Sequence, residues 1–314
     1  MNGMRPIGAT RLAIEGEGHP HLVKRGWLRF LHIENMPPLV AFLGYCLKLM
    51  LLDVPGRKNA LDVQVERVEI SLPGLPEGFD GVRLLFVSDL HIDGQERLAE
   101  KLIGLIEALI YDYCLLGGDY TFRSDRESEV ATSRMVKIAT YLAGRTEVYG
   151  ILGNHDHYAM GECLNQCGVK MLINSNVFLE SGGDSLYLVG LDDWHYYHAD
   201  DLELAQQDIP PDAFRVMLCH SPERYERVAH GGYALYLTGH THGGQICLPN
   251  GFAPATCATV PRSMVRGTWQ YGAMKGYTSR GCGTSGLPFR FFCPPEITLI
   301  TLRCEAEAGE ATSD

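Results

Sequence analysis

The first half of the chain repeats one arrangement of apolar and polar positions. Arg83-Leu-Leu-Phe-Val-Ser-Asp89 is a largely apolar run ending in Asp89-Leu-His91, Tyr113-Cys-Leu-Leu-Gly-Gly-Asp119 ends in an acid, and Glu147-Val-Tyr-Gly-Ile-Leu152 leads into Gly153-Asn-His-Asp156. Runs this short, bounded by glycine and polar residues, read as buried strands. Between them, Glu96 to Ile110 and Met135 to Leu142 place apolar residues at helical spacing. Strand, polar tip and helix in succession predict an α/β domain whose chemistry sits beyond the strand ends.

The second half is richer in strands. Val169 to Ile173, Val177 to Glu180 and Ser185 to Leu191 are short β runs, the last ending at Asp192-Asp193-Trp194-His195. Arg215-Val-Met-Leu-Cys219 delivers His220, and the apolar run Tyr233 to Thr238 delivers Gly239-His-Thr-His-Gly-Gly-Gln245. Residues two apart on extended backbone face the same way, so His240 and His242 can present two imidazoles to one place. Val63 to Leu72 and Glu296 to Leu302 read as further strands, and Cys247 to Pro295, dense in glycine and proline, reads as largely loop.

These patterns divide the chain. Residues 1–22 read as poorly ordered and 305–314 as an acidic, disordered tail, with the folded domain at 63–304. Residues 23–58 combine Lys24, Arg25, Trp27, Arg29 and Phe30 with an apolar run from Leu39 to Leu52. As a helix that run reaches about 21 Å, short of the roughly 30 Å hydrocarbon core of a bilayer. Basic and aromatic residues beside it fit a segment lying in the membrane interface, the alternative being a helix packed on the protein's own core or on a partner.

The 314 residues, 46% hydrophobic, can bury a large core, and no repeat at solenoid or propeller periods is present. A net charge of −11 argues against nucleic acid as a partner, because neutralising a phosphate backbone needs a basic surface. Ten cysteines without zinc-finger spacing suit a reducing compartment, and the start shows no secretory cleavage site.

Seven residues gather at or just past the ends of these strands: Asp89, His91, Asp119, Asn154, His220, His240 and His242. Imidazole, carboxylate and amide oxygen are the donors of a pair of divalent ions, manganese first, with iron or zinc as alternatives. Asp119 is the natural bridge, since a carboxylate has two oxygens and a charge to share. Two ions so held clamp a phosphate and activate a water, which is chemistry for phosphate-ester hydrolysis. His157, His195 and His198 read as surface residues or supports behind the site, His230 as a helix end, and Asp192 and Asp193 as a turn first, with an extension of the polar rim as the alternative.

Asp-Leu-His, Gly-Gly-Asp, Gly-Asn-His-Asp, a later histidine and Gly-His-Thr-His, in this order, resemble the calcineurin-like metallophosphoesterases over Arg83 to about Leu302. The resemblance implies a four-layer α/β/β/α sandwich of two mixed sheets flanked by helices, with the metals at one edge. It implies Asp89, His91, Asp119 and His242 on one metal and Asp119, Asn154, His220 and His240 on the other. His155 matches the family's catalytic histidine, with Asp156 expected to orient it. A non-enzymatic scaffold of this fold is expected to have lost ligands, and all seven are present.

Longer strings, Gly239 to Ile246, Ser279-Arg-Gly-Cys-Gly-Thr-Ser-Gly-Leu-Pro-Phe-Arg290 and Pro294-Pro-Glu-Ile-Thr-Leu-Ile300, resemble a bacterial membrane-associated branch that includes LpxG-type UDP-2,3-diacylglucosamine pyrophosphatases of lipid A biosynthesis. That likeness implies a lipid-nucleotide substrate cleaved to UMP and 2,3-diacylglucosamine 1-phosphate at the cytoplasmic face of the inner membrane. The alternatives are a broad phosphodiesterase or phosphatase and a soluble cytoplasmic location. From Gly243 to Pro295 the cations are Arg262, Arg266, Lys275, Arg280 and Arg290, with no acid among them. This excess reads as a surface for further phosphate, Arg280 or Arg290 being the candidates for the second one. Leu39 to Leu52 with Phe291 and Phe292 are the candidates for an acyl groove.

Overall fold

The computed structural model describes residues 8–16, 37–123 and 127–305. The basic-aromatic cluster from Lys24 to Phe30 and the tail beyond Glu305 lie outside the described residues.

Two six-stranded sheets face each other. In the first, β1 (Gln64–Leu72), β12 (Glu296–Cys304), β2 (Arg83–Val87), β3 (Tyr113–Leu116), β4 (Glu147–Gly150) and β5 (Val169–Met171) lie side by side in that order. β2 to β5 are parallel, and β12 runs antiparallel to β2. In the second the order is β10 (Gly267–Tyr271), β11 (Met274–Thr278), β9 (Leu235–Thr238), β8 (Arg215–Leu218), β7 (Asp184–Gly190) and β6 (Ser175–Ser181). Its central strands β11, β9, β8 and β7 are parallel, and its edges are antiparallel.

The continuous apolar runs have a simple cause. Alternate side chains of a strand face opposite sides, and both sides are dry here. Leu84 and Phe86 of β2 face the second sheet, joining Leu115, Tyr149, Leu188, Leu218 and Leu237. Leu85 and Val87 face outward against α4 (Leu98–Glu107) and α5 (Glu129–Ala143), through Leu102, Ile106, Met135, Ile138 and Leu142. Each such side chain contributes about 1.5–3 kcal/mol on burial. Helix α5 starts at Ser128, whose hydroxyl accepts from Ala131 N at 3.2 Å, and α6 (Tyr158–Gln166) completes that layer. On the far face of the second sheet, α7 (Leu202–Ala205) and α8 (Tyr225–His230) bury Leu202 and Val228 against Met217, Tyr236 and Trp269. The result is two mixed sheets with flanking helices, as expected.

Two local expectations change. Part of the N-terminal stretch read as poorly ordered is helical: α1 (Ala9–Gly16) places Arg11 in the interior at 0% exposure. Within the segment read as loop, β10 and β11 form a hairpin turning at Gly272, φ 60°. Gly267, Gly272 and Gly276 mask that alternation in the sequence, and a Cβ at Gly276 would lie 2.3 Å from the Trp269 ring that covers it. The apolar run from Leu39 to Leu52 forms most of α2 (Pro37–Leu49), followed by α3 (Asp53–Ala60). Among the described residues no helix is long and apolar enough to cross a membrane. α2 passes Leu287 at Gly44, and α3 passes Phe289 and Phe291 at Gly56, so of the acyl-groove candidates Phe291 meets α3, while the run from Leu39 to Leu52 meets the same loop at Leu287.

Candidate metal centre

Each parallel strand near the middle of its sheet hands over one piece of the centre at its C-terminal end. β2 leads to Asp89 and His91, β3 to Asp119, β4 to Asn154 and His155, β8 to His220, and β9 to His240 and His242. Turning sharply out of a strand without clashing takes unusual backbone. Asp89, His91, Asp119, His240 and His242 all have positive φ, between 38° and 67°. For residues with a Cβ this costs on the order of 1–2 kcal/mol each. Neighbouring turns hold the strain: Asp89 N donates to Gly118 O and His91 N to Asp119 O, both at 3.0 Å, while His240 N donates to Asp89 Oδ1 at 2.9 Å. The turns pack so closely that a Cβ on Gly239 would sit 2.2 Å from Asp89 Oδ2, and one on Gly153 2.1 Å from Asp119 Oδ1. His240 and His242 therefore leave a left-handed turn rather than extended backbone, and they diverge.

Two groups result. Asp89, His91 and His242 bring one ligand atom each to within 4.8 Å of one another, and so do Asp119, His220 and His240. Asp119 lies between them, its Oδ2 3.5 Å from His91 Nε2 and 3.2 Å from His220 Nε2. His91 Nδ1 lies 2.6 Å from Thr121 O, and His220 Nδ1 2.8 Å from Gly117 O. Each Nδ1–H donates to its carbonyl, which turns the Nε2 lone pair toward the centre. Asn154 is buried with no hydrogen-bond partner at Oδ1 or Nδ2. An amide stranded in this way costs about 1–3 kcal/mol, and a cation at Oδ1 would relieve it. By donor type, convergence and this unmet oxygen, the residues fit divalent metal, which these side chains would hold with Asp119 placed between the groups.

The electrostatics agree. Burial opposes charge on Asp119, yet His220, His155 and His91 hold its carboxyl well below the usual range. Burial also opposes charge on His220, but Asp119 and Asp89 outweigh it and raise the imidazole. His91 is pushed down to about 4 by burial and by His155. Burial, His91 and Arg290 hold His242 well below the usual imidazole range. The pocket thus attracts positive charge: His91 and His242 keep imidazole lone pairs available, and on His220 a bound cation would take the place of the proton that Asp119 and Asp89 favour.

His155 is half-buried beside the centre, its ring 4.8 Å from that of His91. Its Nδ1 lies 3.0 Å from Phe122 O, and its backbone N donates to Asp119 Oδ1 at 2.8 Å. The expected orienting role of Asp156 is indirect. Its carboxylate accepts from the backbone amides of Asp119 and Tyr120 at 2.8 Å and of Gly153 at 2.9 Å, so it ties two strand ends together, and the Phe122 carbonyl orients the imidazole.

The five cations after Gly243 have uses other than an open phosphate surface. Arg290 is 0% exposed and donates to the carbonyls of Arg280 and Gly283 at 2.6 Å, with Nη2 3.2 Å from His242 Nδ1. Arg280 pairs with Glu296 and, at 2.8 Å, with Glu66. Arg262 bonds Ala253 O, Arg266 bonds Gly251 O at 2.8 Å, and Lys275 faces Glu305 at 3.6 Å. A long segment with little sheet leaves many carbonyls without amide partners, and arginines satisfy most of those named here.

Sequence reasoning left His195 between a surface residue and a support, and missed Glu223 and Arg11. His195 is buried with its ring 4.1 Å from that of His240, and its Nδ1 lies 2.8 Å from Glu223 Oε2. Glu223 opens the turn after His220, at a spacing that gave no hint of the contact. Arg11 reaches Asp192 and the loop around Asn154 from 181 and about 140 residues away, and nothing in its local sequence marks it.

Comparison with known proteins agrees with this geometry. The chain is 29% identical over 241 residues to the uncharacterized metallophosphoesterase YkuE of Bacillus subtilis (strain 168), covering 73% of this chain and 82% of that one. It is 28% identical over 232 residues to the phosphodiesterase YaeI of Escherichia coli (strain K12), covering 70% and 82%. The Bos taurus transmembrane protein with metallophosphoesterase domain is 28% identical over 276 residues, 80% of this chain and 60% of that protein. The model of the calcineurin-like phosphoesterase family matches residues 82–244. That span contains both histidine groups, Asn154 and His155, and the chain belongs to the calcineurin-like phosphoesterase family of metal-dependent phosphoester hydrolases.

Proposed function

We propose that this chain hydrolyses a phosphodiester or diphosphate link in an amphiphilic substrate at a membrane surface, the specific candidate being UDP-2,3-diacylglucosamine, cleaved to UMP and 2,3-diacylglucosamine 1-phosphate. The observation behind the reaction class is Asp119 set between two groups of imidazole and carboxylate donors, beside the unpartnered amide of Asn154. Divalent ions there, with manganese as the first choice, would supply charge against the phosphoryl oxygens and an activated water. The chain's own residues do the rest. With Nδ1 committed to the Phe122 carbonyl, His155 keeps Nε2 as the atom that can pass a proton to the leaving oxygen or bond a phosphoryl oxygen. Asp156 keeps the loop bearing His155 in register with Asp119.

The amphiphilic part of the reading rests on α2 and its turn into α3. Phe42, Tyr45, Leu49, Met50, Leu51 and Val54 are each at least 60% exposed, beside the cations Lys48, Arg57 and Lys58. The loop that α2 and α3 touch is the one that sets Arg290 behind His242, so a lipid-facing surface would lie one loop from the centre. We place the protein peripherally on the cytoplasmic face of a bacterial inner membrane. The similarity to YaeI, a phosphodiesterase by name, favours a second reading, a broader diesterase. A substrate panel separates them: manganese-dependent release of UMP from the lipid nucleotide, well above turnover of a simple chromogenic diester, is expected. Equal turnover of both would leave only the broader activity.

A further inference from the structure

Helix α1 lies far from the metal centre in sequence, yet it grips the loop that bears Asn154 and His155. Arg11 Nη1 donates to Asp156 O at 2.6 Å and Nη2 to Gly153 O at 3.1 Å. Those carbonyls stand on either side of Asn154 and His155. Nε and Nη2 also bond Asp192 Oδ1, at 2.8 and 2.6 Å, and the guanidinium lies 3.9 Å from the centroid of the Tyr197 ring. Tyr197 in turn donates its hydroxyl to Asp156 O at 3.3 Å. At the far end of the loop, Glu15 accepts the backbone amide of Tyr158, the first residue of α6, at 2.9 Å. Gly8 packs against the Tyr158 ring so closely that a Cβ there would lie 2.4 Å from it.

A buried ion pair is a poor stabiliser, because desolvating two charges offsets most of their attraction. Apolar side chains of the same volume would hold α1 at least as well. They would not hold two carbonyls in fixed directions, which a planar guanidinium does. The same loop is tied to Asp119 through the Asp156 carboxylate, so its position sets both the Asn154 amide and the bridging acid.

We infer that Arg11 is a positioning residue of the catalytic centre: through the carbonyls of Gly153 and Asp156 it holds Asn154 and His155 in place, and α1 acts as a clamp on the motif loop. The inference rests on the roles proposed above for Asn154 and His155, and its test therefore includes readouts independent of turnover. In full-length Arg11→Ala, kcat on a chromogenic diester should fall at least ~10-fold with KM changed less than about threefold, since small misplacements act on the reacting geometry. Amide exchange across residues 153–158 should quicken, and one of two manganese-binding events should weaken. Millimolar guanidinium should restore kcat by refilling the slot. Unchanged kcat, exchange and manganese binding would overturn the inference, as would a kcat loss that guanidinium does not recover. If that variant does not fold, Arg11→Lys decides: it keeps the charge beside Asp192 but cannot span both carbonyls, so a near-native melting temperature with the same kcat loss supports the clamp. Wild-type kcat in Arg11→Lys refutes it. A wild-type protein without hydrolase activity would overturn the proposed reaction, while exchange and manganese binding would still report on the clamp.

Discussion

The Asp156 carboxylate accepts the backbone amide of Asp119 at 2.8 Å, so the acid that follows His155 fixes the acid shared by the two histidine groups. Asp156→Asn places an N–H donor where one oxygen now accepts from the backbone. Leaving a buried amide unpaired costs about 1–3 kcal/mol. The variant should melt lower and bind manganese more weakly, by thermal unfolding and calorimetric titration. Wild-type behaviour in both would show that the loop has other anchors.

His155 converges with His91 and Asp119 but belongs to neither the Asp89, His91 and His242 group nor the Asp119, His220 and His240 group. His155→Ala should therefore reduce kcat by roughly 10²–10⁴-fold while metal content, measured by elemental analysis, stays at the wild-type level. Chelation of the wild type should abolish activity, and added manganese should restore it. Full activity in the variant would remove His155 from the chemistry.

The fold class and the centre were legible for one physical reason. Strands dry on both faces become unbroken apolar runs, and the residues that end those runs are the ones that converge, so Asp89, Asp119, Asn154, His220 and His240 could be found at their boundaries. What surrounds them was not legible. Arg11 meets Asp192 across 181 positions, and Glu223 meets His195 across 28, pairings made by the fold and marked by no period. The arginines after Gly243 misled because charge in a sequence does not reveal whether a guanidinium faces solvent or a row of carbonyls. Arg290, wholly buried behind His242, is the clearest case.

Glu223 gives an acid-dependent prediction. Burial works against its charge, but the hydrogen bond and attraction of His195 outweigh that and lower its carboxyl from 4.5 to about 2. A depressed folded value means stability present above about pH 4.5 and lost as pH falls through about 2. At 1.36 kcal/mol per unit this is up to roughly 3 kcal/mol. Glu223→Gln should be less stable than wild type at pH 7 by an amount that shrinks below about pH 4.5, in denaturant titrations. A difference independent of pH would assign the contact to shape alone.

The exposed face of α2 should hold the protein on lipid. Full-length protein is expected to float with vesicles containing phosphatidylglycerol, and the double variant Phe42→Asp with Leu49→Asp to remain in the soluble fraction. Turnover of a soluble diester should be the same in both. Equal flotation would place the membrane contact elsewhere.

The left-handed turns at the centre give the link between folding and metal a direction. An unfolded chain seldom holds Asp89, His91, Asp119, His240 and His242 in that backbone region together, so it offers ions nothing comparable to the native site. Ions that bind only the native state stabilise it by mass action, by about 2.7 kcal/mol at a hundredfold excess over Kd. The protein's resistance to heat then becomes a gauge of the metal available around it.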